Sequence, residues 1–432
     1  MRLLLVAYDY PPIASPQAIR WYYLTRELAR KGVDVHVLAP DLVPAVSGAL
    51  PTPDGVVVHR TDPGGVAGWV ARRRRVRARV RDEPGAASAA VASSPMAGGL
   101  NWKGRLYQRI DRWLGMVCFP DSRGQWLRPA QLELRALVSR LQPDVVISSH
   151  EPATSLELGL GIADRVPAWL ADLGDPVLAP YTPARWRRRA AALEQRVCAR
   201  ANAVSVTTET TRSLLIERHR LDASKVWVLT QGFDENLARA WGVDNLLPGK
   251  PVRLFYAGRF YRFRRPDALF EAVCRVPGVS LAVASPDVPD DYRAIEARSA
   301  GRIVFLGELP HDEVLAMQAE SDLLVNIGNA LDAQIPGKLY EYLGSGKPIL
   351  HLSSQARDPA APLVEGWGCG WAVANESGPL EVLLERLTHG FAEAVASLPY
   401  DRDAVSAHGW SRLGEALLQH CQRVLHERQS RE

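Results

Sequence analysis

Pro336-Gly-Lys-Leu-Tyr-Glu341-Tyr-Leu-Gly-Ser-Gly346-Lys-Pro348 follows the apolar run Leu323-Leu-Val-Asn-Ile327 and leads straight into Ile349-Leu350. The order reads as a buried strand, a loop, a helix N-terminus, one carboxylate on that helix, a Gly-x-Pro stop and the next strand. A helix start presents free backbone N–H groups to an anion, and a carboxylate accepts hydrogen bonds from hydroxyls. A nucleotide sugar carries both kinds of group.

Strand-length apolar runs alternate with amphipathic helical stretches on both sides of this segment. Upstream the runs are Leu3–Ala7, Val33–Leu38, Val56–His59, Asp144–Ser149, Ala168–Ala171, Ala203–Thr207 and Val226–Leu229. Around the quoted segment they are Val252–Ala257, Val279–Ala284, Ile303–Leu306, Leu323–Ile327 and Ile349–His351. Two successive sets predict an α/β protein with two doubly wound parallel sheets. Its 432 residues also exceed one ordinary core, which favours two domains of about 200 residues each. The expected division is residues 1–238, residues 249–405 and a tail of 406–432, with Trp241–Lys250 as the join and a last helix from about Trp410 to Arg428. Ser15-Pro16 supplies an N-cap and a first-turn proline for a helix that carries Ile19, Tyr22, Tyr23 and Leu28 on one stripe and stops at Gly32. No Gly-x-Gly-x-x-Gly precedes it, since Tyr10-Pro-Pro-Ile13 stands there, which weighs against a dinucleotide site.

Composition narrows the class. Hydrophobic residues at 47% and charged ones at 23% are those of a soluble globular enzyme. The net charge of +4 is small, and the surplus is local. Trp69-Val-Ala-Arg-Arg-Arg-Arg-Val-Arg-Ala-Arg-Val-Arg81 holds seven arginines in thirteen residues, just before the low-complexity run Glu83–Gly99. The cluster Arg72–Arg81 reads either as a dock for an anionic membrane or polyanionic acceptor, or as a solvated helix face. Without aromatic interleaving or a groove-reading motif, it does not point to nucleic acid. Five cysteines, far apart and without a Cys-x-x-Cys pair, fit a reducing compartment. Met1–Ala7 is too short an apolar run for a signal or a membrane span. The expected location is cytoplasmic, either free or peripheral on the inner face of the cell membrane.

Phe255-Tyr-Ala-Gly258-Arg259-Phe-Tyr-Arg-Phe-Arg264-Arg265-Pro-Asp267 ends one of these runs. A glycine there lets the backbone approach a ligand, and cations just beyond it can straddle a diphosphate and neutralise a leaving group. In the first half, Asp144-Val-Val-Ile-Ser-Ser-His150-Glu-Pro puts His150 at the C-terminal end of a strand, where open α/β sheets bind ligands. It reads as a proton-sharing or sugar-contacting group, or as a strand-end histidine bonded to local backbone. Asp172 and Asp175, after the next run, read as acceptor contacts or as turn caps. Arg20, one turn into the first helix, reads as an acceptor or phosphate contact or as an ordinary surface residue. No His/Cys cluster at ligand spacing is present, so no metal is expected and the arginines would take its place.

The quoted helix resembles the donor-binding helix of retaining glycosyltransferases of family 4, whose pattern is a glutamate, seven residues, a second glutamate and Gly-x-Pro. Glu341, Gly346 and Pro348 match it, while Ala333 stands at the first glutamate. Gly258-Arg259 resembles the family's Gly-Arg, and Arg264 takes the position of its lysine, with Asp267 and Leu269 in register. His150-Glu-Pro resembles a segment of bacterial mannosyltransferases that act on phosphatidylinositol. Arg20 is similar to an arginine in one branch, and Gln231-Gly-Phe-Asp234 to the Asn-Gly-x-Asp turn that ends the first domain.

The resemblance implies the GT-B arrangement, two facing Rossmann-like domains with a C-terminal helix crossing back to the first. It further implies metal-independent transfer, with retention, of a hexose or N-acetylhexosamine from a nucleoside diphosphate, uridine by family frequency, to a glycan, lipid-linked or secondary-metabolite acceptor. Arg259 and Arg264 would hold the diphosphate, with His150 against the transferred sugar. Gly258, Gly337, Lys338 and Glu341 would bind the donor, Glu341 through ribose hydroxyls. No cofactor is implied beyond the nucleotide sugar itself. Two other functions share the architecture, a nucleotide-sugar epimerase and a degenerate scaffold protein, the latter suggested by Ala333.

Overall fold

The computed structural model describes the chain apart from residues 14, 43–49, 66–67, 69–72, 74–118, 122, 243–249, 262–263, 330–333 and 431–432. The Arg72–Arg81 cluster except Arg73, the run Glu83–Gly99, most of the expected join, and Asp332 with Ala333 therefore lie outside the described residues. The chain forms two compact units, Met1–Thr230 with Leu413–Glu432, and Gln231–Arg412.

The first unit is built on strands β1 (Arg2–Val6), β2 (Asp34–Pro40), β3 (Val56–Thr61), β4 (Val145–His150), β5 (Ala168–Leu173), β6 (Ala203–Val206) and β7 (Val226–Val228). They form one parallel sheet in the order β3-β2-β1-β4-β5-β6-β7. Helices α1 (Pro16–Arg30), α2 (Leu127–Leu141), α3 (Thr154–Leu160), α4 (Arg187–Arg200) and α5 (Glu209–His219) join them. Crossover helices cover the faces of a parallel sheet, and so β4 and β5 are buried at every residue. Leu4, Val6, Trp126, Leu134, Val146 and Trp169 lie in this core. Trp169 donates its indole N–H to Ser148 Oγ at 2.7 Å, so the buried ring leaves no polar atom unpaired. Gly159 permits this packing of α3, because a Cβ there would lie 2.1 Å from Ser148 Oγ and 2.3 Å from Trp169 Nε1. The start of α1 is capped as read, with Ser15 Oγ accepting from Ala18 N–H at 3.1 Å.

The second unit carries β8 (Val252–Ala257), α6 (Asp267–Arg275), β9 (Val279–Ala284), α7 (Asp290–Arg298), β10 (Ile303–Gly307), α8 (His311–Glu320), β11 (Leu323–Ile327), α9 (Gly337–Gly344), β12 (Ile349–Ser353), α10 (Ala361–Gly366) and β13 (Gly370–Ala374). After these come α11 (Ser377–His389), α12 (Phe391–Ala396), α13 (Arg402–Ser406) and α14 (Trp410–Gln429). Its parallel sheet runs β10-β9-β8-β11-β12-β13. The order reverses between β8 and β11, and such a switch point opens a crevice at the carboxyl ends of the strands. One core cluster gathers Phe270, Val273, Leu380 and Leu384, and another gathers Leu339, Tyr342, Val364 and Trp367.

One strand escaped the sequence reading. β13 is an edge strand opened by Gly370, whose Cβ would lie 1.8 Å from Ile349 O, so only glycine allows this pairing with β12. The unit boundary falls at Thr230/Gln231 rather than near residue 238, and α14 enters the first unit from Leu413. Within that unit Leu413, Leu417, Cys421 and Val424 form its buried stripe. Gly414 lets α14 approach α1, since a Cβ would meet Glu27 Cβ at 2.6 Å. Lys31 Nζ reaches Glu415 Oε2 at 2.6 Å, and His420 stacks on Trp227 with ring centroids 3.8 Å apart.

Candidate functional site

In the second unit the chain leaves β8 at Ala257 and turns at Gly258, whose φ of +146° falls in the region that favours glycine. A Cβ there would lie 3.1 Å from Lys338 Nζ. Lys338, second residue of α9, folds back over β8. Its Nζ donates to Ala257 O at 3.0 Å and sits 3.6 Å from the centroid of Tyr256. The residue is only partly covered, but its ammonium end is wedged between backbone and ring. Burial drives its pKa well below the usual lysine value; Arg264 lowers it further and Glu341 partly opposes. Two cations thus lie close together without a carboxylate between them strong enough to offset their repulsion.

Arg264 is held from the far side. Its Nε and Nη2 both donate to Asn329 Oδ1, at 2.9 and 2.6 Å, and its guanidinium stacks 5.5 Å from the centroid of Tyr261. Asn329 is buried just beyond β11, and a polar chain beneath it fixes the preceding turn. Ser354 Oγ donates to Gly328 O at 2.9 Å, and Asp358 packs so close that a Cβ on Gly328 would lie 2.1 Å from its Oδ2. Behind Asp358, His351 Nε2 approaches Oδ2 at 3.1 Å, misaligned for a hydrogen bond, while Nδ1 meets Asn326 Nδ2 at 2.8 Å. Helix α9 begins after Pro336 with no side-chain cap, so its first N–H groups at Gly337 and Lys338 point at this same corner. Glu341 Oε1 accepts from Gln318 Nε2 at 2.6 Å, and its Oε2 lies 3.7 Å from His311 Nε2. Gly258, Arg264, Gly337, Lys338 and Glu341 are brought together. Arg259 follows Gly258, but its half-exposed side chain turns to Asp287 at 3.1 Å. Asn329, Gln318 and Tyr256 were not picked out in the sequence. Their only signal was position at strand ends or on the facing helix.

In the first unit a cavity of about 520 Å³ is lined by Tyr8, Asp9, Arg123, His150, Glu151, Tyr181 and Trp186 among others. His150 is 6% exposed. Its Nδ1 lies 2.9 Å from Asp175 O, so Nδ1 carries the proton donated to that carbonyl and Nε2 is left as an acceptor in the neutral ring. Glu151 is exposed as a residue, yet the cavity walls desolvate its carboxyl and raise its pKa; Asp175 and Asp9 add to the rise and His150 opposes it. Desolvation also raises Asp9, against a hydrogen bond from Ser15 and the charge of Arg123. The Asp175 carboxylate accepts from Tyr181 O–H at 3.2 Å. Asp9 and Tyr181 were missed because an aspartate or tyrosine in a loop carries no spacing signal.

Two expected contacts are corrected. Arg20 and Asp172 are both fully buried and grip each other through Nη1–Oδ2 at 2.7 Å and Nη2–Oδ1 at 3.0 Å. Arg20 also donates to Leu229 O at 2.9 Å, and Asp172 accepts from Ser205 at 2.7 Å. One turn into α1 is an inward position, so the guanidinium is buried against the sheet, with its partners on Asp172 and Leu229. The pair Asp401-Arg-Asp403, spaced like a metal motif, is a helix cap in which Asp401 Oδ1 accepts from Asp403 and Ala404 N–H. Among the described residues no three His, Cys, Asp or Glu side chains cluster as metal ligands, and no helix is long and apolar enough to cross a membrane.

Residues 100–237 match the family model described as Glycosyltransferase Family 4. No curated protein sequence matches the chain. The fold is similar to that of sucrose-phosphate synthase from Thermosynechococcus elongatus, at 15% identity and TM-score 0.67, covering 99% of each chain. It is also similar to HepE of Anabaena in complex with UDP-glucose, at 14% identity and TM-score 0.60, covering 98% of this chain and 100% of that one. A further similar fold is a putative UDP-N-acetylglucosamine 2-epimerase from Listeria monocytogenes, at 14% identity and TM-score 0.54, covering 99% of this chain and 97% of that one.

Proposed function

We propose that this chain, whose residues 100–237 match the model of Glycosyltransferase Family 4, moves a sugar from a nucleoside diphosphate to an acceptor hydroxyl. The observation that carries the reading is the convergence of Gly258, the Arg264 guanidinium, the Lys338 ammonium and the uncapped start of α9 at the switch point of the second sheet. Crowded cations beside free helix N–H groups are costly unless an anion joins them, and a diphosphate supplies two phosphates' worth of charge. Uridine is the base we favour, because a similar fold binds UDP-glucose.

In this reading Arg264 and Arg259 neutralise the diphosphate, the amides of Gly337 and Lys338 cradle it, and Glu341 holds ribose hydroxyls. His150 contacts the transferred sugar. The acceptor oxygen bonds to the anomeric carbon on the face from which the diphosphate leaves. The electron pair of the broken carbon–oxygen bond stays on the diphosphate, whose oxygen takes the hydroxyl proton, and the anomeric configuration is retained. Because guanidinium groups supply the charge that a divalent ion would, the step runs without metal.

Incubating the purified chain with UDP-glucose and UDP-N-acetylglucosamine tests this. Turnover that falls at least a hundredfold in Arg264→Ala is the expected result, an order of magnitude set by loss of a leaving-group contact. Turnover unaffected by that change overturns the assignment. An epimerase would release an altered UDP-sugar with no acceptor present, and a scaffold would release nothing.

A further inference from the structure

Arg264 carries a planar fork of donors, and the fold uses one edge of it internally. Nε and Nη2, at 2.9 and 2.6 Å, converge on a single acceptor, Asn329 Oδ1. Because the guanidinium is rigid, fixing that edge also fixes where the opposite edge points. The Tyr261 ring, its centroid 5.5 Å from the guanidinium carbon, limits rotation further, and Tyr256 lies beside the same cation. The edge away from Asn329, which carries Nη1, is the one that can meet a diphosphate oxygen.

Asn329 is itself placed by backbone. It is 6% exposed and follows Gly328, the first residue past β11. Gly328 donates its N–H to Leu352 O at 2.8 Å and accepts from Ser354 Oγ at 2.9 Å. A Cβ at Gly328 would lie 2.1 Å from Asp358 Oδ2 and 3.1 Å from Leu352 O, so the turn is held by contacts that only glycine allows. The amide also reaches forward, with Nδ2 directed at Gln334 Oε1 at 3.4 Å, in the loop that delivers α9. One side chain thus joins the cation after β8 to the approach of α9, on either side of the switch point. From this we infer that Asn329 is a positioning residue for the diphosphate, acting through Arg264, and that its amide oxygen is matched to arginine at position 264. A lysine there would bring a compact ammonium without a fork, and one bond to Oδ1 would not orient it.

This inference rests on reading the second-unit corner as the nucleoside diphosphate site, and the test separates the two claims. Affinity of the full chain for UDP and for GDP is measured by calorimetry, and the tighter of the two is followed through Asn329→Leu, Arg264→Lys and the double variant. The expected result is that Asn329→Leu weakens binding about fivefold or more with arginine at 264, the scale of a hydrogen bond to a charged group. With lysine at 264 the same change should cost about twofold or less, because no fork remains to be oriented. A residue that only holds the fold together would weaken both backgrounds alike. Where Asn329→Leu does not fold, judged by circular dichroism, Asn329→Ser takes its place with the same expectation. A smaller loss in the arginine background, or a larger one in the lysine background, overturns the positioning role and leaves the nucleotide site standing. Binding of neither UDP nor GDP by the wild-type chain overturns the transfer reading and this role with it.

Discussion

Replacing Arg20 with alanine should cost the first unit a large part of its stability without any direct effect on ligands. Arg20 and Asp172 are both fully buried and joined by two hydrogen bonds of 2.7 and 3.0 Å. Truncation leaves Asp172 charged inside the sheet, with Ser205 at 2.7 Å, Gln17 at 3.3 Å and Ser149 at 3.4 Å as its remaining donors. Removing one partner of a buried pair costs about 3–5 kcal/mol, because the other charge is stranded. In a unit of this size each kcal/mol moves the midpoint by about 2–4 °C, so the first unit's transition should fall by about 6–20 °C in scanning calorimetry. Replacing both residues, Arg20→Met with Asp172→Leu, removes the stranded charge along with the pair and should recover more than half of the loss. A melting point within about 2 °C of wild type, combined with weakened UDP affinity, would refute the reasoning and return Arg20 to a ligand-contacting role.

Three further outcomes follow from the same geometry. Donor binding should be accompanied by proton uptake, measured by calorimetry in buffers of different ionisation enthalpy over a series of pH values. An incoming diphosphate raises the depressed pKa of Lys338, so affinity weakens as pH climbs, and Lys338→Met should abolish the uptake. The two glycines that bracket the site should respond differently. Gly258→Ala meets Lys338 Nζ at 3.1 Å and should mainly weaken UDP binding, whereas Gly346→Ala meets Ala240 O at 2.4 Å with φ at +68° and should unfold the second unit, read by urea denaturation. Burial holds His408 down to about 4. Below the ordinary histidine pKa of about 6.5 the unfolded chain takes up a proton that the folded one refuses, so stability falls as pH drops towards 4, by on the order of 2 kcal/mol. His408→Phe should flatten that acid limb in urea titrations at pH 7 and pH 4.5.

Legibility in the sequence followed local physics. The central strands declared themselves as apolar runs because both their faces are covered, and Ser15-Pro16 announced α1 through a cap that needs only neighbours in the chain. Edge strand β13 did not, since half-buried residues and an opening glycine imitate a loop. At the second-unit site, Gly258, Arg264, Lys338 and Glu341 could be read because a strand end and a helix start fix where such residues go. Their supports could not. Asn329 beneath Arg264 and Gln318 against Glu341 depend on tertiary packing, as does the burial of Arg20, which a helical wheel leaves ambiguous. The acidic lining at Asp9 and Glu151 joins β1 to β4, which are adjacent in the sheet but far apart in sequence.

A crystal structure of the chain with UDP tests the central claim most directly. The account predicts the diphosphate at the start of α9, its oxygens within hydrogen-bond reach of the Arg264 guanidinium and of the Gly337 and Lys338 amides, with ribose hydroxyls on Glu341. Diphosphate density anywhere else, with that corner still holding Lys338 against Ala257 and Tyr256, would contradict it.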